Sequence, residues 1–83
     1  MTQPLTSQDF SALIREYCRE LLDCDPISDE DLFLELGGNS LMAAMLANRL
    51  EDDQRIRPCI EDILVSSIGE LSHICVELQS DLE

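Results

Sequence analysis

Apolar positions along the chain recur at the three- and four-residue spacing of amphipathic helices, and no stretch alternates as a strand would. The first such segment predicts a helix from about Gln8 to Leu22 with one buried stripe. That stripe comprises Phe10, Leu13, Ile14, Tyr17, Cys18, Leu21 and Leu22. Thr6 or Ser7 is expected to cap the helix, and the turn formers around Pro26 to end it.

Three further helices are predicted after a long loop over residues 23–39. Their expected bounds are about Ser40 to Asp53, a short helix Cys59 to Leu64, and Ser67 to about Leu82. The inward positions are Ala43, Leu46, Ala47 and Leu50 in the first of these, and Ile68, Leu71, Ile74, Cys75 and Leu78 in the last. The predicted fold is therefore all-α, a four-helix bundle with three main helices and one short helix.

The loop over residues 23–39 is long for so small a domain, so its own apolar groups must anchor it. The expected anchors are Ile27, Leu32, Phe33 and Leu36. Three aspartates in it, Asp23, Asp25 and Asp29, invite comparison with a calcium loop. That interpretation fails, because the glycine of an EF-hand would fall at Ser28 and its final glutamate at Leu34. Residues 28–31 instead have the spacing of a capping box that starts a short helical turn.

A glycine pair and an asparagine bring one serine to the start of the second helix, in the run Gly37-Gly38-Asn39-Ser40. The glycines permit a sharp turn and a close approach to the serine. Asn39 is a good N-cap, which places Ser40 on the first turn, where free N–H groups and the helix dipole stabilise a phosphate. The segment therefore indicates a phosphorylated or phosphodiester-linked serine, with a plain loop and helix cap as the alternative.

Catalytic roles for Ser40 fit poorly. A nucleophile elbow requires glycine where Met42 stands, and a triad requires a base, whereas the only histidine, His73, has ordinary polar neighbours. A phosphate-binding loop requires a lysine, and the chain contains none. A chain of 83 residues also has no room for a deep substrate cavity. We therefore expect no catalytic residues and a protein that another enzyme modifies.

The second helix carries more apolar surface than one buried stripe needs. Leu41, Met42 and Met45 turn away from the core positions, which leaves an apolar patch beside Ser40 suited to several partners. The alternative is packing beneath the long loop. Met42 fits the exposed patch and the buried packing equally well, whereas partial burial is favoured for Met45.

The net charge is −13, from 18 acidic residues against five arginines. Nucleic acid is excluded as a partner of such a surface, because binding there rests on cationic contacts to phosphates. Partners with basic docking faces are expected instead. No leader or membrane-spanning stretch is recognisable, which predicts a cytoplasmic protein without membrane contact. The protein is expected to be a monomer. Met1 favours a free-standing polypeptide, although a domain excised from a longer chain would look the same.

The four cysteines contain no Cys-x-x-Cys pair, and with one histidine they offer no zinc spacing. No metal site is expected. Cys18 and Cys75 fall on the apolar stripes of their helices, so both are predicted to be small core residues.

The chain resembles the phosphopantetheine-dependent carrier proteins, most closely the peptidyl carrier, or thiolation, type, over about residues 8–80. The resemblance is strongest in Asp31-Leu32-Phe33-Leu34-Glu35-Leu36-Gly37-Gly38-Asn39-Ser40-Leu41, which is similar to the family's acidic and aromatic lead-in to Gly-Gly-x-Ser-Leu. It implies a single carrier domain over residues 1–83 with the bundle of an acyl carrier protein.

The resemblance implies that a phosphopantetheinyl transferase, using magnesium, attaches the 4'-phosphopantetheine of coenzyme A to Oγ of Ser40. The residues implied around that site are Gly37, Gly38, Asn39 and Leu41, and those implied in docking are Leu41, Met42, Met45 and Ile63. An adenylating or acylating enzyme would load an aminoacyl, peptidyl or acyl group as a thioester. Condensation, tailoring or release enzymes of nonribosomal peptide or related secondary-metabolite (antibiotic) biosynthesis would then act on it.

The carrier subtype stays open at this point. Asn39 stands where fatty-acid and many polyketide acyl carriers have aspartate, which with Gly37-Gly38 favours the peptidyl type. The net charge of −13 is more typical of an acyl carrier. A D-alanyl or other aminoacyl carrier is a further alternative, because the loading enzyme chooses the cargo.

Overall fold

The computed structural model describes residues 5–80, and this part of the chain forms four helices and no strand beyond one isolated bridge. The helices are α1 (Ser7–Leu22), α2 (Ser40–Gln54), α3 (Ile60–Val65) and α4 (Ile68–Ser80). The predicted all-α fold is confirmed, while the expected helix end at Leu82 lies outside the described residues. No helix between residues 5 and 80 is both long and apolar enough to span a bilayer.

Local capping bonds mark where α1 and α4 begin. Thr6 and Asp9 form a capping box at α1, in which each backbone N–H donates to the other residue's side chain, at 3.0 and 3.1 Å. Ser67 and Glu70 form the same arrangement before α4, at 2.9 and 3.1 Å. These hydrogen bonds lower the pKa of the Glu70 carboxyl. The short helix α3 starts one residue later than predicted, with Cys59 as its N-cap.

The core lies where α1 packs against α4 and α2, and α2 packs in turn against α3. The inward positions predicted for α2 are all fully buried. Leu13, Leu21, Leu22, Ile74 and Leu78 are half-buried and border this core. Cys18 and Cys75 are core residues as predicted, and burial raises the pKa of each thiol to about 12. Both thiols therefore stay protonated at neutral pH.

The long loop is anchored partly as expected. Ile27 and Phe33 are buried and Leu36 is half-buried, but the side chain of Leu32 is 37% exposed, so its predicted anchoring role was wrong. The backbone of Leu32 forms an antiparallel bridge with Ser67, and Leu32 remains partly exposed. Residues 28–31 form a single turn that does not continue as a helix.

Backbone hydrogen bonds join this loop to the junction between α3 and α4. The N–H of Phe33 donates to the carbonyl of Ser66 at 3.3 Å. In the other direction, the N–H of Ile68 donates to Asp31 at 3.0 Å, and that of Gly69 donates to Asp29 at 2.9 Å. The loop that precedes α2 is therefore held at a defined position against the rest of the fold.

Asp29 also joins the loop to α1. Its carboxylate accepts a hydrogen bond from the buried hydroxyl of Ser11, and Nε of Arg15 lies 3.9 Å from it. The loop is thus tied to α1 by a side chain and to α4 by backbone.

Asp29→Ala is expected to lower the free energy of unfolding by about 1–3 kcal/mol, because it leaves the buried Ser11 hydroxyl without its acceptor. Arg15→Ala is the matched control. It removes only the partly exposed ion pair, which is worth about 0–1 kcal/mol. Chemical denaturation of both variants measures the difference, and equal losses would show that the Ser11 hydrogen bond contributes nothing of its own.

Candidate functional site

Ser40 is the first residue of α2 and is exposed. Asn39 is the N-cap as predicted, because its side-chain oxygen accepts the N–H of Met42 at 2.9 Å. Its carbonyl accepts the N–H of Ala43 at 2.8 Å. In any regular α-helix the N–H groups of the first turn have no acceptor inside the helix. The first turn of α2 is therefore the positive end of a 15-residue helix. The hydroxyl of Ser40 stands at a position that favours an attached phosphate.

The two glycines before Ser40 serve different purposes. Gly37 has a φ of +99°, a conformation that side chains disfavour, while the space around it is open. Gly38 is needed for close approach. A Cβ there would lie 2.8 Å from the carbonyl oxygen of Phe33 and would overlap the ring of that residue. The glycine pair thus provides first the turn and then the tight contact.

Three backbone hydrogen bonds close the segment that leads to Ser40. The N–H groups of Leu36, Gly37 and Gly38 donate at 3.1 Å to the carbonyls of Leu32, Leu34 and Phe33, respectively. The segment is therefore wound into consecutive turns with bonds of its own. These hydrogen bonds fix the backbone conformation of the residues that lead to the Asn39 cap.

Of the three residues predicted to form an apolar patch beside Ser40, two are exposed and one is half-buried. Leu41 is 67% exposed and Met45 is 41% exposed, and their i, i+4 spacing puts them on one side of α2. We call these two residues the apolar face of α2. Met42 is half-buried and packs against the core.

Ile63 lies in the core with no exposed surface, so its predicted docking role needs correction. Ile63 is the buried residue of α3, the short helix that packs against α2. The exposed aliphatic residue of α3 is Val65, at 73%. Sequence reasoning missed Val65, although a residue two positions after a buried one lies on the opposite side of a helix.

The acidic surface keeps most of its charge. Four of the five arginines lie within 4.0 Å of a carboxylate of the chain itself, in the pairs Arg15–Asp29, Arg19–Asp25, Arg49–Glu20 and Arg57–Glu51. These pairs use up few of the 18 acidic residues. The surface that remains is strongly negative and complementary to basic partners.

A cluster of polar side chains joins α1 to α2. The hydroxyl of Tyr17 donates to the carboxylate of Asp53, and the Arg49 guanidinium lies 5.5 Å from the centre of the Tyr17 ring. Burial, followed by the contact with Asp53, raises the pKa of Tyr17, so the phenol remains a donor. Its role is to hold the two helices together.

Ser40 and His73 lie on different helices, α2 and α4. His73 is exposed on α4, and among the hydrogen bonds of residues 5–80 none joins its ring to the hydroxyl of Ser40. Nor do those residues contain a group of three histidine, cysteine or acidic side chains that could hold a metal ion. What the site offers is an exposed hydroxyl on a phosphate-compatible turn.

A family model described as "Phosphopantetheine attachment site" matches residues 12–75, well over half of the 83-residue chain. The chain belongs to this phosphopantetheine-binding family, whose members carry 4'-phosphopantetheine covalently on a serine. It is thus a carrier protein, a class that acts as a tether rather than as a catalyst. No curated protein and no solved structure matches the chain in the same comparisons.

The residues around Ser40 fit such a prosthetic group. An ester on Oγ would place its phosphate at the first turn of α2, where backbone N–H groups and the helix dipole favour negative charge. Open space at Gly37 leaves room beside it. Phosphopantetheine supplies a terminal thiol on a flexible arm, and the chain itself contributes the attachment point and its orientation.

Proposed function

We propose that Ser40 is the attachment site of 4'-phosphopantetheine and that the protein is a carrier of the peptidyl type. The observation that carries the proposal is the placement of Ser40, exposed as the first residue of α2 and inside the matched family segment. In the modification, Oγ of Ser40 forms a bond to the phosphorus of the arm while the phosphoanhydride bond of coenzyme A breaks. The adenosine bisphosphate leaves with the bonding electrons, and the hydroxyl proton passes to a base of the transferase.

The proposed task of the carrier is to hold an aminoacyl or peptidyl thioester and present it to partner enzymes. A tethered substrate reaches a docked active site at high effective concentration without release between steps. An adenylating enzyme would load the thiol, and condensation, tailoring or release enzymes would act afterwards. We place this work in the cytoplasm, in nonribosomal peptide or related secondary-metabolite biosynthesis.

Modification in vitro tests the attachment site. The purified chain is incubated with a phosphopantetheinyl transferase of broad specificity, Mg²⁺ and coenzyme A, and its intact mass is measured. We expect a gain of one phosphopantetheine, located by peptide fragmentation at Ser40. No gain with several transferases, or a gain at another serine, would contradict the proposal.

Asn39 supports the peptidyl type, because its side chain is neutral at the position where many acyl carriers have a carboxylate. The acidity of the chain supports the alternative, an acyl carrier of a polyketide or fatty-acid type pathway. A panel of loading reactions separates these two and the D-alanyl alternative. Thioesters formed by enzymes that adenylate other amino acids support the peptidyl type. Loading only by a D-alanine-activating enzyme supports a D-alanyl carrier, and loading only by a malonyl-transferring acyltransferase supports an acyl carrier.

We propose that the apolar face of α2 contacts the transferase, since Leu41 directly follows Ser40 and is exposed. Leu41→Glu is expected to raise the KM for the carrier by roughly tenfold, which equals about 1.4 kcal/mol of binding free energy. Its stability should stay within about 0.5 kcal/mol of wild type, as for other surface positions. Steady-state kinetics of modification measure the change.

His73→Glu is the matched control for Leu41→Glu. It adds a carboxylate at an exposed position of α4, the helix that packs against α1. The KM of this variant should remain that of wild type. An equal rise in both variants would show that added negative charge, and not the lost apolar contact, weakens docking.

A further inference from the structure

We propose that Phe33 is a positioning residue for the modification of Ser40, acting through Gly38. This inference rests on the proposed function, because it concerns how Ser40 is presented to the transferase. The side chain of Phe33 is fully buried and does not reach the surface, so it touches neither coenzyme A nor the transferase. Its effect has to pass through the loop.

The contact between Phe33 and Gly38 is closer than any other residue type at position 38 would allow. The ring of Phe33 occupies the space that a Cβ on Gly38 would need. The carbonyl of Phe33 also accepts the N–H of Gly38 at 3.1 Å. Side chain and backbone of a single residue therefore hold the backbone two positions before Ser40.

Phe33 is itself held on its other side. Its N–H donates to the carbonyl of Ser66, at the junction between α3 and α4. The bridge between Leu32 and Ser67 lies directly beside this bond. Phe33 thus connects the Ser40 loop to the α3–α4 junction, a part of the fold far from it in sequence.

The position of Gly38 determines where Ser40 stands. One residue separates them, and that residue, Asn39, caps α2 only if its side chain reaches the N–H of Met42. A shift of the backbone at Gly38 therefore moves both the cap and the hydroxyl. Misplacement of a reacting group by about 1 Å can reduce a rate by about 10²-fold.

A double-mutant cycle on Phe33 and Gly38 tests the inference, with kcat/KM of phosphopantetheine transfer as the readout. Gly38→Ala alone is expected to lower kcat/KM by roughly 10²-fold, because its Cβ displaces the loop from the Phe33 ring. Phe33→Leu gives a smaller side chain that can turn aside. The double variant should regain about tenfold over Gly38→Ala, and not everything, since the carbonyl of Phe33 remains in contact.

Gly37→Ala is the matched control within the same loop. Its cost comes from the positive φ at Gly37, and, apart from the two chain neighbours, no atom of residues 5–80 lies within 4 Å of the added Cβ. Phe33→Leu should therefore give no rescue there. Thermal unfolding of all variants is measured alongside. Phe33→Leu is expected to lower stability by itself. If Phe33 had only a structural role, adding this substitution to Gly38→Ala would not raise kcat/KM.

Several outcomes would overturn the inference. A double variant whose kcat/KM is the product of the two single effects shows that Phe33 does not act through Gly38. Equal rescue of Gly37→Ala shows that the effect is not specific. If Phe33→Leu fails to fold, NMR of the wild-type protein decides, because absence of nuclear Overhauser effects between the Phe33 ring and the Gly38 Hα protons removes the contact. A wild-type chain that is not modified overturns the proposed function as well, whereas a modified wild type without rescue overturns only the positioning role.

Discussion

Ser40→Ala is expected to abolish attachment of phosphopantetheine, with no mass gain after prolonged incubation with transferase, Mg²⁺ and coenzyme A. The physical reason is the loss of the oxygen that forms the new bond to phosphorus. The fold should not change, because Ser40 is exposed and its side chain caps nothing, the capping oxygen being that of Asn39. Circular dichroism and thermal unfolding should match those of the wild type to within about 0.5 kcal/mol.

Ser7→Ala is a matched control for this result. Ser7 is likewise the first residue of a helix, α1, and it too follows a capping residue, Thr6. This variant should gain one phosphopantetheine at the wild-type rate. A mass gain in Ser40→Ala would show that another side chain accepts the group, and loss of modification in Ser7→Ala would show that the assay responds to general damage.

The helices could be predicted from the sequence, each start to within one residue, because most of the interactions that determine the starts are local. Thr6 with Asp9, and Ser67 with Glu70, are three residues apart and satisfy each other's backbone groups in any surroundings. The Asn39 cap is equally local, spanning residues 39–42. The position of Ser40 on its helix follows from these short-range bonds.

Exposure was harder to predict wherever it depends on a distant partner. Leu32 looked like an anchor of the loop, but its backbone bridges Ser67 and the residue is more exposed than Ile27 and Phe33. Ile63 looked like a docking residue, but it is fully buried in α3, the short helix that packs against α2. No periodicity within so short a segment distinguishes Ile63 from Val65 without knowledge of where α2 lies.

The two glycines illustrate the same division. A turn at Gly37-Gly38 could be predicted from composition, because glycine pairs favour turns. That Gly38 is needed for contact with Phe33, and Gly37 for a positive φ, could not be predicted. The contact between Gly38 and Phe33 depends on how the loop folds back on itself. The course of the loop is determined partly by its hydrogen bonds to the α3–α4 junction.

Leu46→Ala is expected to lower the free energy of unfolding by about 2–5 kcal/mol, because Leu46 is fully buried and its truncation leaves a cavity in the hydrophobic core. A domain of 83 residues has a total stability of only about 4–12 kcal/mol. Chemical denaturation should therefore show a much lower midpoint, or no folded baseline at all. Modification of Ser40 should fall with the folded fraction, since the first turn of α2 exists only in the folded chain.

Leu41→Ala, on the same helix, separates burial from residue type. Leu41 is 67% exposed, so the same truncation there should cost less than about 0.5 kcal/mol. The two variants remove the same atoms from α2 and differ chiefly in the surroundings of the side chain. Equal midpoints would mean that the side of α2 assigned to the core is wrong, and with it the orientation that presents Ser40 and Leu41 to a partner. A large difference, with Leu46→Ala the less stable, fixes which side of α2 remains free for docking.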